Sequence, residues 1–393
     1  MSMLTRTGQI GLCAIFGFLS LAPALFWPAG VAMNSQLNEN RVKAALSCPE
    51  PNIESLFRFA SEFRRFFNDH FPFRDLAIQS DAAIRLKLAG NRWTDRVLIG
   101  PENWLFLRRT IKGTPVTLPV AEYTPNELQQ WVSVLQQRHD WLQSHGIRYA
   151  LVIAPDKAAI YPDKRPQEFS GITPDTRQTQ LFNRLASDGI IQFVDLRPAL
   201  TTARTQFPEL YYRTDTHWNA VGGWIATQSI CRQLQLPFIF GPVDEGITGC
   251  ENPIYRGDLL RLLGAPHYSH EPRITHLPKR RFTWTRTALN EQPHILCPEY
   301  ALPFATETPH TDRPRAVIFR DSFTLELQPF LSEAFSRAVY VWDYKMDQER
   351  ILQESPDLVI DIFVERQLNT APPSAFSKSY RSDVAADPSA VVR

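Results

Sequence analysis

From residue 124 to residue 364, hydrophobic positions switch repeatedly between the helical and the strand period. Leu128, Trp131 and Leu135 keep one apolar face after Thr124-Pro125-Asn126-Glu127, a segment with the chemistry of a helix start. Residues 149–154 then form a fully apolar run, which is typical of a buried parallel strand. Further along, the pattern predicts helices ending at 181–186 and spanning 219–235 and 323–335, and strands at 190–196, 316–319, 338–342 and 358–364. This alternation predicts an α/β fold with a mainly parallel sheet flanked by helices.

The segments around this alternation have other patterns. Residues 53–88 have helical spacing with a break at Phe71-Pro72-Phe73, and residues 97–107 predict a hairpin. Residues 240–314 are rich in Pro, Arg, His and Thr, which predicts an insertion, either a lid or a small β-rich excursion. The tail at 370–393 is small, polar and Pro-containing, and we expect it to be disordered.

The N-terminal residues 1–33 predict a signal anchor. Ile10 to Met33 is uncharged and mostly apolar, long enough to cross a hydrocarbon core of about 30 Å. Arg6 precedes this stretch, so the positive-inside rule leaves the N-terminus in the cytoplasm and the domain at 34–369 outside. A cleaved signal peptide is the alternative, with Ala29-Gly30-Val31-Ala32 as its cleavage site, and it puts the domain in the same compartment.

Composition narrows the function classes. The 393 residues include 42 Lys and Arg against 41 Asp and Glu, a net charge of +1 without a basic stripe, so we expect no nucleic-acid partner. No CxxC pair occurs among the five cysteines, so we do not expect a structural zinc site. We also expect no other metal and no cofactor. Cys48, Cys231, Cys250 and Cys297 could form disulfides in an oxidising compartment, but Cys231 falls in a helical pattern and fits a buried free thiol equally well.

Two short segments at predicted strand–helix junctions carry the residue types of acyl chemistry. Asp215-Thr216-His217 comes just before a helix start, and Asp321-Ser322 directly follows a buried strand. A serine at such a turn lies at the carboxyl edge of the sheet, where a helix N-terminus stabilises an oxyanion. Serine needs a base to remove its proton, histidine is that base, and aspartate orients the imidazole. Together the segments predict a triad of Ser322, His217 and Asp215.

Other roles remain open for the same residues. Ser322 could merely cap the following helix, and His217 could be a buried structural histidine. Asp215 and His217 could also be metal ligands, although no third and fourth ligands lie nearby in the sequence.

The segments Asp215-Thr216-His217-Trp218 and Arg320-Asp321-Ser322-Phe323 resemble the two signature blocks of the AlgJ/AlgX-type alginate O-acetyltransferases, a branch of the SGNH hydrolase-like superfamily. The order of the blocks, with Asp-x-His before Ser, is typical of this branch. Further matches follow in the family's order: Glu39-Asn40-Arg41, Phe71-Pro72-Phe73-Arg74, Gly100 with Trp104-Leu105-Phe106, Pro155-Asp156-Lys157 with Tyr161-Pro162, and Val364-Glu365-Arg366.

The resemblance implies an SGNH-like (flavodoxin-like) domain in the periplasm, held at the inner membrane by the N-terminal segment. It implies that a membrane-bound O-acyltransferase partner supplies the acyl group. The domain would then place acetyl on an exported polysaccharide, alginate-like or another exopolysaccharide, through an acyl-serine. Asp215 and His217 carry over as triad members and Ser322 as the nucleophile.

Four further residues are candidates for substrate binding. Lys157 and Tyr161 follow a predicted strand end, and Trp218 offers a ring that could stack on a sugar. Arg320 stands where many SGNH proteins have glycine, and it could add a cation near the developing oxyanion. Each of them fits a packing role as well.

Two rival functions remain open. A carbohydrate acetylesterase would use the same triad and differ only in letting water attack the acyl-enzyme. A non-catalytic polysaccharide-binding subunit of a biosynthesis complex would keep the fold without the chemistry.

Overall fold

The computed structural model describes residues 44–46, 53–71, 74–87, 94–110, 113–116, 121–170, 176–237, 249–275, 282–289 and 302–376, together with Gly11, Cys13, Ala14 and Gly17. By its contacts the chain divides into two compact units, residues 1–91 with 261–266, and residues 92–260 with 267–391. The first unit holds the helices α1 (Ile53–His70) and α2 (Arg74–Lys87), which confirms the helical prediction and the break between them.

The predicted anchor, Ile10–Met33, lies almost entirely outside the described residues. Among the residues that are described, no helix combines the length and the apolar character needed to cross a bilayer.

The strands that the structure describes all lie in the second unit. They are β1 (Val97–Ile99), β2 (Leu105–Leu107), β3 (Arg148–Ala154), β4 (Gln192–Asp195), β5 (Gly249–Tyr255), β6 (Glu271–Thr275), β7 (Thr285–Ala288), β8 (Phe304–Glu307), β9 (Arg315–Arg320), β10 (Arg337–Val341) and β11 (Leu358–Val364). β1 and β2 form the predicted hairpin, and β5 pairs with β6 in a second small antiparallel sheet.

The main sheet is mixed. In the described part of the chain its strand order is β4-β3-β11-β9-β10-β8-β7. The pairs from β4 to β10 are parallel, and β8 and β7 are added antiparallel at one edge. Part of the segment predicted as an insertion therefore extends the main sheet, because β8 pairs with β10 and β7 pairs with β8, while β5 and β6 form a separate sheet.

The helices of the second unit flank this sheet. They are α3 (Pro125–Ser144), α4 (Lys157–Ile160), α5 (Gln167–Ser170), α6 (Arg177–Asp188), α7 (Arg197–Ala203), α8 (Ala220–Leu234), α9 (Asp258–Leu262, which continues into the first unit), α10 (Gln328–Leu331), α11 (Gln348–Glu354) and α12 (Gln367–Thr370). α3 begins as predicted, with a capping box in which Thr124 accepts from the Glu127 amide and the Glu127 carboxylate accepts from Thr124.

Side chains bury both faces of the central strands. Along β3, Ala150 and Val152 belong to one apolar cluster, whereas Leu151 and Ile153 belong to a second. Because successive side chains of a strand point to opposite faces, the continuous apolar run is explained by a sheet covered on both sides. Cys231 lies in α8 as a buried free thiol.

Two segments differ from the sequence predictions. In place of one helix at 323–335, the chain forms short turns at Ser322–Leu325, Gln328–Leu331 and Ser332–Ala334. Pro329 enters this stretch without an amide to donate, which favours a new helix start there over one continuous helix. The tail is ordered as far as Phe376, whose buried ring packs against Trp131 at 4.8 Å between centroids. Residues 377–393 lie outside the described residues.

Candidate active site

Three neighbouring strands deliver polar residues to one edge of the sheet. β3, β11 and β9 are adjacent and parallel, so their carboxyl ends lie side by side. β3 is followed by Asp156 and Lys157, β9 by Asp321 and Ser322, and β11 by the pair Glu365 and Arg366. This is the edge at which open α/β sheets bind their ligands.

The Asp-x-His segment reaches the same edge from the loop before α8. Tyr211 and Trp218 form an isolated antiparallel bridge, which turns residues 212–217 into a compact loop. Asn219 ends this loop and caps α8, because its side-chain oxygen accepts from the amides of Val221 and Gly222. The cap fixes where the loop stops and where the helix starts.

The structure brings Asp215, His217 and Ser322 into one hydrogen-bonded chain. His217 Nδ1 lies 2.6 Å from Asp215 Oδ1, and His217 Nε2 lies 2.8 Å from Ser322 Oγ. A carboxylate can only accept, so Nδ1 carries the proton and Nε2 is free to accept from the serine hydroxyl. The Asp215 side chain is 5% exposed and that of His217 is 26% exposed, so solvent reaches the histidine.

Electrostatics favour a charged Asp215 and a basic His217. Burial pushes the pKa of Asp215 upward, but attraction to His217 and hydrogen bonds from His217, Tyr255 and the Asp258 amide outweigh it and lower that pKa. Burial likewise pushes the pKa of His217 downward, and the charge and hydrogen bond of Asp215 raise it above the ordinary value. The carboxylate therefore stabilises a protonated His217.

Ser322 is not the helix cap. That role belongs to Asp321, whose Oδ1 accepts from the Phe323 amide at 2.9 Å and whose Oδ2 accepts from the Val364 amide at 2.7 Å. Burial raises the pKa of Asp321, although these two amides oppose the shift. With the cap supplied by its neighbour, the Ser322 hydroxyl is directed to His217. Its backbone amide begins a 3-10 turn, where first-turn N–H groups have no partner inside the helix.

Two buried charged side chains hold the Asp-x-His loop, one through its carbonyls and one through its amides. Lys157 Nζ donates to the carbonyls of Tyr212, Arg213 and Asp215 at 2.9, 3.0 and 2.6 Å. Glu271 accepts from the amides of Arg213 and Thr214, both at 2.7 Å. Burial lowers the pKa of Lys157 to about 8, while Glu271 and Asp215 act to raise it.

Asp156, Glu365 and Arg366 form a second polar cluster at the sheet edge. Arg366 donates to Asp156 Oδ1 at 2.5 Å, and the Asp156 amide donates to Glu365 Oε2 at 3.1 Å. The Arg366 guanidinium lies 5.0 Å from the centre of the Phe323 ring, beside the candidate nucleophile. Burial and the nearby Asp156 charge raise the pKa of Glu365 to about 7.

The four residues predicted to bind substrate are all buried, at 4% exposure or less. The Lys157 ammonium is engaged by the three carbonyls described above. The Tyr161 hydroxyl donates to the Pro208 carbonyl and accepts from the Leu210 amide. Trp218 donates to the Phe323 carbonyl at 2.9 Å. The polar groups of all three therefore bind the protein's own backbone, and substrate binding by these residues stays a prediction.

Arg320 is the fourth. Its guanidinium lies 4.8 Å from the centre of the Trp342 ring and 5.4 Å from the centre of the Phe304 ring. As the last residue of β9 it shares the face of Ala316 and Ile318, which points into the core. Its side chain is therefore part of the buried core at the end of β9, and its role as a cation near the oxyanion stays a prediction.

A small, open pocket lies next to the triad loop. It is lined by Phe106, Leu107, Val116, Asp156, Lys157, Ala158 and Thr216. Thr216 neighbours His217 in the chain, so this pocket borders the candidate base.

Ligand atoms of Asp215, His217 and Asp258 lie within 4.8 Å of one another, a spacing that a metal ion could bridge. Hydrogen bonds account for the closeness. Asp215 accepts from His217 and Tyr255, and both oxygens of Asp258 accept from Thr216, from its amide at 2.8 Å and its hydroxyl at 2.7 Å. The atoms that could bind a metal ion therefore already take part in hydrogen bonds.

Three residues that contact the triad loop were not predicted from the sequence: Tyr255, Asp258 and Glu271. All three lie within residues 249–275, inside the segment predicted as an insertion. The structure shows one close approach in this segment: a Cβ at Gly257 would stand 2.3 Å from the Thr214 carbonyl oxygen, so a larger residue there would force the turn to shift.

Comparison with known proteins adds three observations. The family model described as "SGNH hydrolase-like domain, acetyltransferase AlgX" matches residues 97–296, just over half of the 393-residue chain. This range includes Asp215 and His217 and ends before Ser322.

Two relatives named "probable alginate O-acetylase AlgJ" also match. The one from Pseudomonas putida is 27% identical over 52% of this chain and 51% of its own length. The one from Pseudomonas syringae pv. tomato is 29% identical over 54% and 53%. The chain thus spans about half the length of the curated relatives it matches.

Among solved structures, Bacillus cereus PatB1 with a sulfonyl adduct superposes with a TM-score of 0.53 at 16% identity. The match covers 72% of this chain and 100% of that chain. At this identity the likeness is one of fold.

Proposed function

Because the chain belongs to the family of SGNH hydrolase-like domains of the AlgX acetyltransferase type, we propose that it transfers acetyl groups to hydroxyls of an exported polysaccharide. The observation that carries this proposal is the placement of His217 between Asp215 Oδ1 and Ser322 Oγ, at 2.6 and 2.8 Å. A serine, a base and an orienting carboxylate in this order are the working parts of acyl transfer.

In the first half-reaction Ser322 is the nucleophile. Its Oγ attacks the carbonyl carbon of the acetyl donor while His217 Nε2 takes the hydroxyl proton. The tetrahedral oxyanion faces first-turn amides, among them that of Ser322 itself. When the intermediate collapses, His217 returns the proton to the leaving group, and acetyl remains esterified to Ser322.

In the second half-reaction a sugar hydroxyl takes the place of the leaving group. It gives its proton to His217 Nε2 as its oxygen attacks the acetyl-serine carbonyl. Collapse of this second intermediate releases the acetylated sugar, and the proton on His217 returns to Ser322 Oγ. Asp215 stays ionised throughout and stabilises the protonated imidazole in both steps.

The setting of this reaction is part of the same proposal. Relatives named alginate O-acetylase support an exported polysaccharide as the acceptor and the periplasm as the compartment. The acyl donor is a membrane-bound O-acyltransferase partner, and the apolar segment Ile10–Met33 holds the chain at the inner membrane. The polymer is alginate or another exopolysaccharide.

The test is to mix the purified protein with a chromogenic acetyl ester and to search for acetylated Ser322 by mass spectrometry. Acetyl that appears on Ser322 and moves to an added oligosaccharide supports the transferase. Acetyl lost equally fast without the sugar identifies an esterase. Wild-type protein that is never acetylated, yet still binds the oligosaccharide, overturns the catalytic proposal and leaves a binding subunit.

A further inference from the structure

Both oxygens of the Asp215 carboxylate are engaged, and they serve different partners. Oδ1 accepts from His217, at 2.6 Å from Nδ1 and 3.0 Å from the backbone amide. Oδ2 accepts from the Tyr255 hydroxyl at 2.6 Å and from the Asp258 amide at 3.0 Å. Each of the two oxygens of this carboxylate therefore accepts two hydrogen bonds.

The hydrogen bonds to Oδ2 oppose rotation of the Asp215 carboxylate. A carboxylate can turn about its Cβ–Cγ bond, and turning Asp215 would take Oδ1 off His217 Nδ1. Asp215 is only 3% exposed, so few water molecules could replace a lost partner at Oδ2. A buried charged oxygen without a donor is costly, and a donor at 2.6 Å fixes the plane of the group.

Tyr255 is well placed to supply that donor permanently. Burial, together with the charge of Asp215, raises the pKa of its hydroxyl well above the ordinary tyrosine value, so the proton stays on the oxygen. The ring is anchored by Tyr212 at 4.8 Å and by the Arg273 guanidinium at 5.6 Å. The hydroxyl therefore stays protonated, and two neighbouring side chains pack against the ring.

The backbone around Tyr255 is fitted to the triad loop. Tyr255 ends β5 and Asp258 begins α9, with the close-packed Gly257 between them. The Gly257 amide donates to Thr214 Oγ1 at 3.1 Å. One short turn thus delivers a hydroxyl and an amide to the same oxygen of Asp215.

We propose that Tyr255 is a positioning residue of the triad, whose hydroxyl locks the Asp215 carboxylate in the rotation that orients His217 toward Ser322. This inference rests on the proposed acyl transfer through Ser322. Tyr255 acts through Asp215 and does not touch the acyl group.

The test is Tyr255→Phe, which deletes the hydroxyl and keeps the ring packed against Tyr212. We expect kcat for a chromogenic acetyl ester to fall about tenfold, the loss of one hydrogen bond to a charged group, with KM unchanged. Tyr268→Phe is the matched control, because Tyr268 lies in the same segment and donates to Asn103 Oδ1 at 3.1 Å. The control should keep its kcat.

A second readout follows the triad itself. The low-field proton resonance of His217 Nδ1–H should be present in the wild type and in Tyr268→Phe, and should shift or broaden in Tyr255→Phe. A Tyr255→Phe protein with unchanged kcat and an unchanged resonance overturns the positioning role. A wild type with the resonance but without acetyl-serine would defeat the proposed function and leave the Tyr255 contact standing, so the two failures are distinguishable.

Discussion

His217 Nε2 lies 2.8 Å from Ser322 Oγ, although the two residues stand 105 positions apart in the chain. One comes from the loop before α8 and the other from the end of β9. They meet because the loop is held by Lys157 from β3's side and by Glu271, while Asp321 fixes the turn that presents the serine.

Replacing Ser322 by alanine should abolish acyl-enzyme formation. The variant loses the nucleophile that must form the acyl-enzyme in the proposed reaction, so we expect turnover of a chromogenic ester to fall by about 10⁴-fold or more. Ser336→Ala is the control, since the Ser336 hydroxyl bonds the Pro314 carbonyl away from the triad. Residual turnover of Ser322→Ala within tenfold of wild type would exclude the acyl-serine route.

The pH dependence should report His217. Burial lowers the pKa of His217, but Asp215 outweighs it and raises that pKa. A protonated His217 cannot accept from Ser322, so the acylation rate should fall with decreasing pH, with a midpoint above the ordinary histidine value of ~6.5.

The variant Asp215→Asn tests whether the charge of Asp215 sets this midpoint. Without the carboxylate charge the pKa of His217 decreases, so the midpoint should move to lower pH while the plateau rate falls. Stopped-flow acylation across pH measures both quantities. A midpoint that stays in place in Asp215→Asn would show that another group controls the acid limb.

Lys157→Met should destabilise the fold. Methionine has a similar length but leaves the carbonyls of Tyr212, Arg213 and Asp215 without their donor, and we expect a loss of about 3 kcal/mol in the free energy of unfolding. Denaturant titration measures it. Lys164→Met, which removes an exposed pair with Glu102, should change little, and equal losses in the two variants would contradict the assigned role.

Gly257→Ala tests the fit between the Tyr255 turn and the triad loop. The new Cβ would stand 2.3 Å from the Thr214 carbonyl oxygen and 2.6 Å from Asp215 Cβ, so the turn must shift. We expect about 1–3 kcal/mol of destabilisation and a slower acylation rate, measured by thermal unfolding and rapid quench. Full stability with full activity would mean that the two segments do not need this close approach.

The sequence predicted the elements that depend on local pattern. The apolar runs gave β3, β9, β10 and β11, and the two signature segments gave Asp215, His217 and Ser322, which the fold brings together. Local pattern carries this information because strand burial and helix capping are set by near neighbours in the chain.

Features that depend on distant contacts were missed. Tyr255 and Glu271 belong to short, irregularly paired strands whose composition resembles a loop, and nothing local marks their approach to residues 213–215. Lys157 was assigned to the substrate side because it follows a predicted strand end, and Arg320 because it stands where many SGNH proteins have glycine. The sequence does not reveal that the Phe304 and Trp342 rings lie near Arg320, or that three backbone carbonyls bind Lys157.

The place of β11 in the sheet sets an order of events during synthesis. This strand lies between β3 and β9, and its register with β3 joins Leu358 to Arg148, more than 200 residues apart. A chain emerging from its N-terminus holds β3 and β9 with unpaired inner edges until the last strand arrives, and such edges invite pairing with other chains. Ser322 and His217 are therefore held in place only when nearly the whole chain has been synthesised. Activity then depends on the arrival of β11, and the risk of aggregation is greatest in the interval before it.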